Sequence, residues 1–553
     1  MLRRQLLKSM CGAGWILGGQ AFTSVPAYAL GRSALPNISP IARERKIAPE
    51  AFSGDNPTQA HAALWNIPQF LADARRKQAP IKPHSVPLTI IGAGIAGLSL
   101  AYLLKDKAPL ILEQAPQLGG NSKGENWCGL DYSIGAAYVC EPEEGTEIAD
   151  FLADLGLVKE AKIKSDEGPM LYAGGLLRDF WSGGKEALSG AEKRQIEVLK
   201  RYFEDMAAGE KIPYPELPAG DAEAEAYIHQ LDAHSFYDHL CAQVGEPLCA
   251  LINAAIEHYC WSSLGGSARE ISAAAGLNFY AAEFNNLWVY PGGNAAIAER
   301  ISERLTQVLP LQNICTSSLV LEVDPQPDGV RVTWLNSEGE LEEVKSKVVV
   351  CACPKFVAKK IVRGLNEQRG DAFQQLQYRA YLVANAFLST NLEENVYDIF
   401  ALGAGEQSYA DTKRAASLRG ATDVINANFA APTASHSVLT LYRALPYEGG
   451  RAELYSPDAF TRFEGELRRQ LHEELLPGLG VDVRQLRGLR LARWGHPLPL
   501  AKTGMYRAGL PAKLSEPYEK RVFFVNQDNH ALPAFETSVT EAFAWAARIK
   551  RLL

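Results

Sequence analysis

The stretch Val86-Pro-Leu-Thr-Ile-Ile-Gly92-Ala-Gly94-Ile-Ala-Gly97-Leu-Ser-Leu-Ala-Tyr-Leu, followed by Leu110-Ile-Leu-Glu113, decides the fold. An apolar strand, Leu88 to Ile91, runs into Gly92-x-Gly94-x-x-Gly97. A helix opens there, with Ile95, Leu98, Tyr102 and Leu103 at helical spacing. A second short strand then ends on an acid. Gly92 permits the tight turn, Gly94 lets a pyrophosphate approach the backbone, and Gly97 lets the helix pack on the strand. The helix start offers free N–H groups and a positive dipole end to a diphosphate. Glu113 is placed to accept the ribose hydroxyls of an adenosine and would repel a 2′-phosphate, which argues against NADP. Three glycines alone occur in ordinary turns. Strand, glycines, helix, strand and acid in this order point to a Rossmann-type unit.

The residues after Glu113 favour FAD over NAD. Glu113-Gln114-Ala-Pro-Gln-Leu-Gly119-Gly120-Asn121 resembles the Glu-x(n)-Gly-Gly-Arg segment of the flavin-containing amine oxidase superfamily, which also holds carotenoid desaturases and protoporphyrinogen oxidases. Asn121 stands where that family usually has arginine, so its phosphate contact would be neutral. Tyr132-Ser-Ile-Gly135-Ala136-Ala137-Tyr138 is similar to the family's turn beside the flavin ring, with Ser133 in place of the usual acid. Trp288-Val-Tyr-Pro-Gly292-Gly293 resembles the Pro-x-Gly-Gly segment. Ser318 to Val323 with Asp328-Gly329 resembles the strand and hairpin whose valine, here Val320, packs by the adenine. Lys347 to Pro354 resembles the next strand. Val522-Phe-Phe-Val-Asn-Gln527-Asp528, then Glu536-Thr-Ser538-Val539, is similar to the closing motif, in which an acid binds the ribitol and a helix start faces the flavin. That role falls on Asp528, with Gln527 as its rival.

The resemblance covers residues 86–553. It implies non-covalent FAD on Gly92, Gly94, Ile95, Ala96, Gly97, Glu113, Gln114, Gly119, Gly120, Asn121, Gly135, Ala136, Ala137, Val320, Gln527, Asp528, Ser538 and Val539. The fold implied is α/β: a Rossmann-type FAD-binding domain built from discontinuous segments (86–145, 286–355 and 516–553), with an inserted α+β substrate domain (146–285 and 356–515). Arg493-Trp494-Gly-His496, ending in Gly504-Met-Tyr506, resembles the family's tryptophan segment. Trp494 would wall a substrate cage where an amine's cationic form meets an aromatic face; the alternative is a core tryptophan in a strand. His530, just after Asp528, is the second candidate for the active centre.

The activity implied is an FAD-dependent oxidoreductase that takes a hydride from a small organic substrate, foremost an amine, onto flavin N5. Many amine oxidases hold a lysine near that nitrogen, on a strand that aligns with Tyr381 to Phe387. Ala384 or Asn385 stands there, which favours a dehydrogenase that passes electrons to a c-type cytochrome or a quinone. Desaturation of a carotenoid-like or porphyrinogen-like substrate is an alternative. An exported non-catalytic flavoprotein acting as a binding or assembly factor is another, consistent with Asn121, Ser133 and the missing lysine.

Leu2-Arg3-Arg4-Gln-Leu-Leu-Lys8, an apolar stretch from Met10 to Val25, and Ala27-Tyr-Ala29 resemble a twin-arginine export signal cleaved after Ala29. The stretch is too short, mild and glycine-rich for a stable membrane span. The expectation is a periplasmic protein exported folded by the twin-arginine machinery, with residues 30–85 forming a surface arm and one helix, Ala62 to Arg76. Cleavage removes Arg3, Arg4 and Lys8 and no acid, so the net charge of −8 becomes −11. That argues against nucleic acid and anionic membranes and favours a cationic substrate or basic partner. Cys351 and Cys353 have no second ligand pair, and His229, His234 and His239, spaced at five, do not stack on one helical face, so no metal site is expected. Folding in a reducing compartment makes free thiols the default over disulfides joining Cys241 to Cys249 or Cys128 to Cys140.

Overall fold

Strands that are apolar on both faces belong inside parallel sheets, and the glycine-bearing strand obeys this rule. The computed structural model describes residues 38–43, 51–78, 81, 84–165, 167–172, 174–182, 188–209, 211–392, 396–403, 420–432 and 435–553. His84–Ile91 lies in a seven-stranded sheet whose neighbours run Ile314–Cys315, Leu110–Leu112, His84–Ile91, Leu341–Cys351, Gly329–Leu335, Leu319–Gln326. Val522–Phe524 pairs in parallel with the last residues of Leu341–Cys351. The strands beside the glycine turn are parallel, and the hairpin Leu319–Gln326/Gly329–Leu335 is antiparallel. The helix Ile95–Leu103 is buried from Ile95 to Tyr102, between this sheet and the helices Ala295–Val308 and Phe535–Lys550.

A second sheet of eight strands runs Gly175–Leu177, Met170–Tyr172, Asp398–Gly403, Asp423–Asn426, Ser437–Ala444, Tyr378–Leu388, Leu486–Pro499, Ser53–Gly54. Alternation sorts its two faces. Leu382, Ala384, Ala386 and Leu388 pack with Phe463 and Leu467 of the helix Ala459–Gln470. Tyr381, Val383 and Phe387 turn the other way, towards Tyr132, Ile134 and Trp494. The first insert is helical. Gly190–Ala208 starts on a Ser189–Glu192 capping box and stops at the left-handed Gly209, then packs with Phe236–Val244 and Ala250–Tyr259.

The N-terminal arm departs from expectation twice. Its single helix is two, Thr58–Leu64 and Ile67–Lys77, because Asn66 caps the second by accepting from Gln69 N–H and Pro68 cannot continue the first. The arm is also woven into the fold: Ser53–Gly54 is an edge strand on Leu486–Pro499, and Ile41, fully buried, pairs with Gly124. The expected export signal over residues 1–29 lies outside the described residues. Among the described residues no helix is long and apolar enough to cross a membrane.

Candidate functional site

Gly92 turns the chain at φ +100°, and its N–H donates to the Leu112 carbonyl at 2.8 Å. A Cβ on Gly97 would lie 2.0 Å from the Gly92 carbonyl oxygen, so the helix packs this close only with glycine there. Gly94 differs. A Cβ there would meet only Gly120 Cα, at 3.7 Å, which leaves open the space a diphosphate needs. The Gly119 N–H donates to the Ala93 carbonyl at 2.8 Å, bringing the two glycine segments side by side at the start of the helix. Ile95 and Ala96 open that helix with their side chains buried. The buried Glu113 carboxylate accepts from Ala93 N–H and Ala115 N–H, both at 2.8 Å, which fixes it at the end of its strand. Gln114 is exposed beside it, and Val320 is buried with Ile91 and Leu112.

The turn after Tyr132 is closed by its own serine. Ser133 Oγ accepts from Gly135 N–H at 3.1 Å and donates to the Ala136 carbonyl at 3.0 Å. The Ala136 N–H donates to the Asn121 carbonyl at 3.1 Å, and a Cβ on Gly135 would sit 1.9 Å from that oxygen. Ala136 is exposed and Ala137 buried. The Asn121 and Gln527 side-chain amides both donate to the Pro497 carbonyl at 3.3 Å, so three distant segments converge on one atom.

The Asp528 carboxylate takes a different position from Gln527. It is buried and accepts from Tyr378 OH at 2.6 Å and Lys355 N–H at 2.9 Å. Burial raises its pKa, and Lys355 and Tyr378 oppose that rise. Lys355 is itself fully buried, its Nζ on Asn526 Oδ1 at 2.7 Å, and burial lowers its pKa. Asp528 therefore locks the closing motif to the segment after Cys353, and of the two rivals Gln527 is the one beside Asn121. Ser538 turns its hydroxyl back to the Ala534 carbonyl, and Val539 is fully buried in the core.

Of the two catalytic candidates, His530 is held in place: its Nε2 pairs with Glu541 at 2.8 Å, and its carbonyl accepts from Tyr506 OH. Trp494 lies on the sheet face towards the turn, opposite Tyr381, its indole N–H donating to the Ile134 carbonyl at 2.7 Å. Two tyrosines absent from the sequence reading join it. Tyr442 OH donates to the Gly135 carbonyl at 2.7 Å, and Tyr397 OH to the Ala137 carbonyl at 3.1 Å. The signal for Tyr442 is alternation in the strand opposite Tyr381-x-Val383-x-Asn385, where it pairs with Val383, visible only once the strands are paired; Tyr397 stands just before its strand and carries no such signal. Of the two positions considered for the absent lysine, Ala384 belongs to the helix-side layer. Asn385 is buried and accepts from Thr440 Oγ1 at 2.7 Å.

The profile of the family described as flavin containing amine oxidoreductase matches residues 95–525. The chain belongs to that family. Oxidoreductase PigB of Serratia sp. (strain ATCC 39006) is 22% identical over 522 residues, covering 84% of this chain and 75% of that protein. Flavin-containing amine oxidase A of Canis lupus familiaris is 26% identical over 304 residues, 52% of this chain and 53% of its own length, so the match spans about half of that relative. Putrescine oxidase bound to putrescine has the same fold, with a TM-score of 0.60 at 18% identity over 85% of this chain and 100% of the other. As a flavin containing amine oxidoreductase the protein is an FAD-dependent enzyme. The open space at Gly94, flanked by Gly119 and Gly120, suits the FAD diphosphate.

Proposed function

We propose that the protein is a flavin-dependent amine dehydrogenase with non-covalent FAD. The observation that carries this reading is an aromatic sheet face, Trp494, Tyr381 and Tyr442, fastened to the turn Ser133 to Tyr138 by tyrosine hydroxyls and an indole N–H. When bound, FAD supplies the hydride acceptor. The chain's own residues supply the surroundings. Tyr442 and Tyr397 hold the Gly135 and Ala137 carbonyls, so the turn and the wall keep a fixed separation. The wall rings exclude water, and desolvation favours the neutral form of a bound amine, from which a C–H can leave as hydride. Asn385 and Thr440, hydrogen-bonded to each other, stand on this face where a lysine would favour reaction with oxygen.

In this reading the twin-arginine signal exports the folded protein to the periplasm, and the acidic mature chain passes its electrons to a basic c-type cytochrome or a quinone. Anaerobic mixing with a panel of primary and secondary amines should bleach the oxidised flavin band. The reduced protein should then reoxidise faster with an oxidised c-type cytochrome or a quinone than with air-saturated buffer. Absence of bleaching by every amine overturns the substrate class. Reoxidation by oxygen within milliseconds, with stoichiometric peroxide, makes the protein an oxidase.

A further inference from the structure

On the same sheet face, two strands from Tyr381, lies a buried group of acids. Asp423 opens the strand Asp423–Asn426 and stands opposite Tyr442 in register. Its Oδ2 accepts from Ser262 Oγ at 2.9 Å, while its Oδ1 is buried with no hydrogen-bond partner. Asp398, on the adjacent strand, has Oδ1 3.4 Å from Lys164 Nζ, an ion pair without hydrogen-bond geometry. The Glu283 carboxylate accepts from Tyr138 OH at 2.8 Å and Tyr259 OH at 3.1 Å. Lys164 is the cation that acts on both Asp423 and Glu283, so with all three acids ionised the group carries two more negative charges than this lysine offsets. A buried excess of charge is neutralised by protons or by a cation.

Protons can serve: burial, then the neighbouring Asp398, pushes the Asp423 carboxyl up to about 8, and burial also raises Glu283. A ligand cation can take their place. Asp423, Ser262 and Tyr442 are all buried, and Ile425 and Asn426, on the same strand as Asp423, line a cavity with Tyr397 and Thr440. Tyr381 and Tyr442, ring centroids 6.0 Å apart and tilted to each other, are the aromatic neighbours of Asp423 on this face. Among the described residues no three His, Cys, Asp or Glu side chains are arranged to hold a metal ion.

The nitrogen that reacts is not the natural partner of Asp423. A carboxylate against it would hold its proton and keep the amine in the unreactive form. A buried carboxylate suits a nitrogen that stays charged throughout. We infer that Asp423 binds an ammonium group of the substrate other than the one oxidised, so that the preferred substrate is an amine with a second cation. This rests on the amine reading above.

The test compares anaerobic flavin reduction by α,ω-diaminoalkanes of three to six carbons with reduction by the monoamine of equal length, in the wild type, Asp423→Asn and Ser262→Ala. The expected result is a kcat/KM for the best diamine exceeding that of its monoamine on the order of tenfold to a hundredfold in the wild type. That ratio should fall to about one in Asp423→Asn and to an intermediate value in Ser262→Ala, which keeps the carboxylate but removes its anchoring hydroxyl. A wild type with no diamine preference, or a preference that survives Asp423→Asn, overturns the subsite while leaving the amine reading intact. Should Asp423→Asn fail to fold, the wild-type ratio and its response to Ser262→Ala decide the matter. Failure of every monoamine and diamine to reduce the flavin removes the amine reading, and the subsite with it.

Discussion

Two glycines three residues apart have different physical reasons to be glycine. At Gly97 the reason lies within the protein, since a methyl group would meet the Gly92 carbonyl at 2.0 Å. At Gly94 the reason is the ligand, since a Cβ there meets nothing closer than 3.7 Å. Gly97→Ala is therefore expected to destabilise the folded protein by several kcal/mol, on the order of a severe overpacking change. Gly94→Val should melt within a few degrees of the flavin-free wild type and purify without flavin. Thermal melts together with the ratio of flavin to protein absorbance check both. A yellow Gly94→Val protein at full occupancy refutes the cradle. The departures at Asn121 and Ser133 are also local chemistry: Ser133 closes its turn as both donor and acceptor, a task that needs no charge.

At the scale of elements, the arm supplies an edge strand directly beside the strand that carries Trp494. Gly54, at φ +80°, lies so close that a Cβ would meet the Arg493 carbonyl at 2.5 Å and the Trp494 ring at 3.2 Å. The next residue, Asp55, accepts from Gly495 N–H at 2.7 Å. Burial raises its pKa against the pull of Gly495 and of Lys123, Arg493 and His61. A carboxyl whose folded pKa lies above its unfolded value contributes stability that is fully present below the unfolded pKa, about 3.8, and is lost as pH rises through the folded value. Asp55→Asn keeps an acceptor for Gly495 and carries no charge. It should therefore gain on the wild type as pH rises from 4 to 8, whereas Asp55→Ala should lose about 1–2 kcal/mol through the unsatisfied Gly495 N–H. Urea unfolding at several pH values measures both. An Asp55→Ala variant as stable as Asp55→Asn would show that the arm's hydrogen bond contributes nothing.

At the scale of the molecule, the sheet that bears the glycine turn draws strands from segments far apart in sequence. Its closing motif is tied by Asp528 to Lys355 and Tyr378 and by Gln527 to Pro497. A cradle assembled from such distant parts exists only in the folded chain, so FAD binds only after these segments have come together. Under the twin-arginine proposal, Arg3→Lys with Arg4→Lys should leave an uncleaved, yellow precursor in the cytoplasm, seen by fractionation and flavin fluorescence. Unchanged recovery from the periplasm would exclude this route.

Strand, glycines, helix and acid were legible in order from Leu88 to Glu113, because each rests on a backbone requirement that is local in sequence. The turn at Gly135 and the Trp494 segment were placed only by their resemblance to the family, which left Trp494 open between a cage wall and a core position. The sequence alone did not show that the arm's helix breaks at Asn66, since amphipathic spacing continues through a cap. The sequence put the ribitol role on Asp528 with Gln527 as rival, but adjacent residues point in different directions, and it did not show that the Asp528 carboxylate is taken up by the buried Tyr378 and Lys355. The Tyr381, Tyr442 and Asp423 face arises from the register of three strands separated by up to about sixty residues. A strand's period assigns its side chains to one of two faces, but which residues meet across the ladder, and whether an acid ends up with water or without it, is a property of packing. The backbone rules of the cofactor cradle were therefore written locally, and the charge and shape of the substrate wall were decided by tertiary contacts.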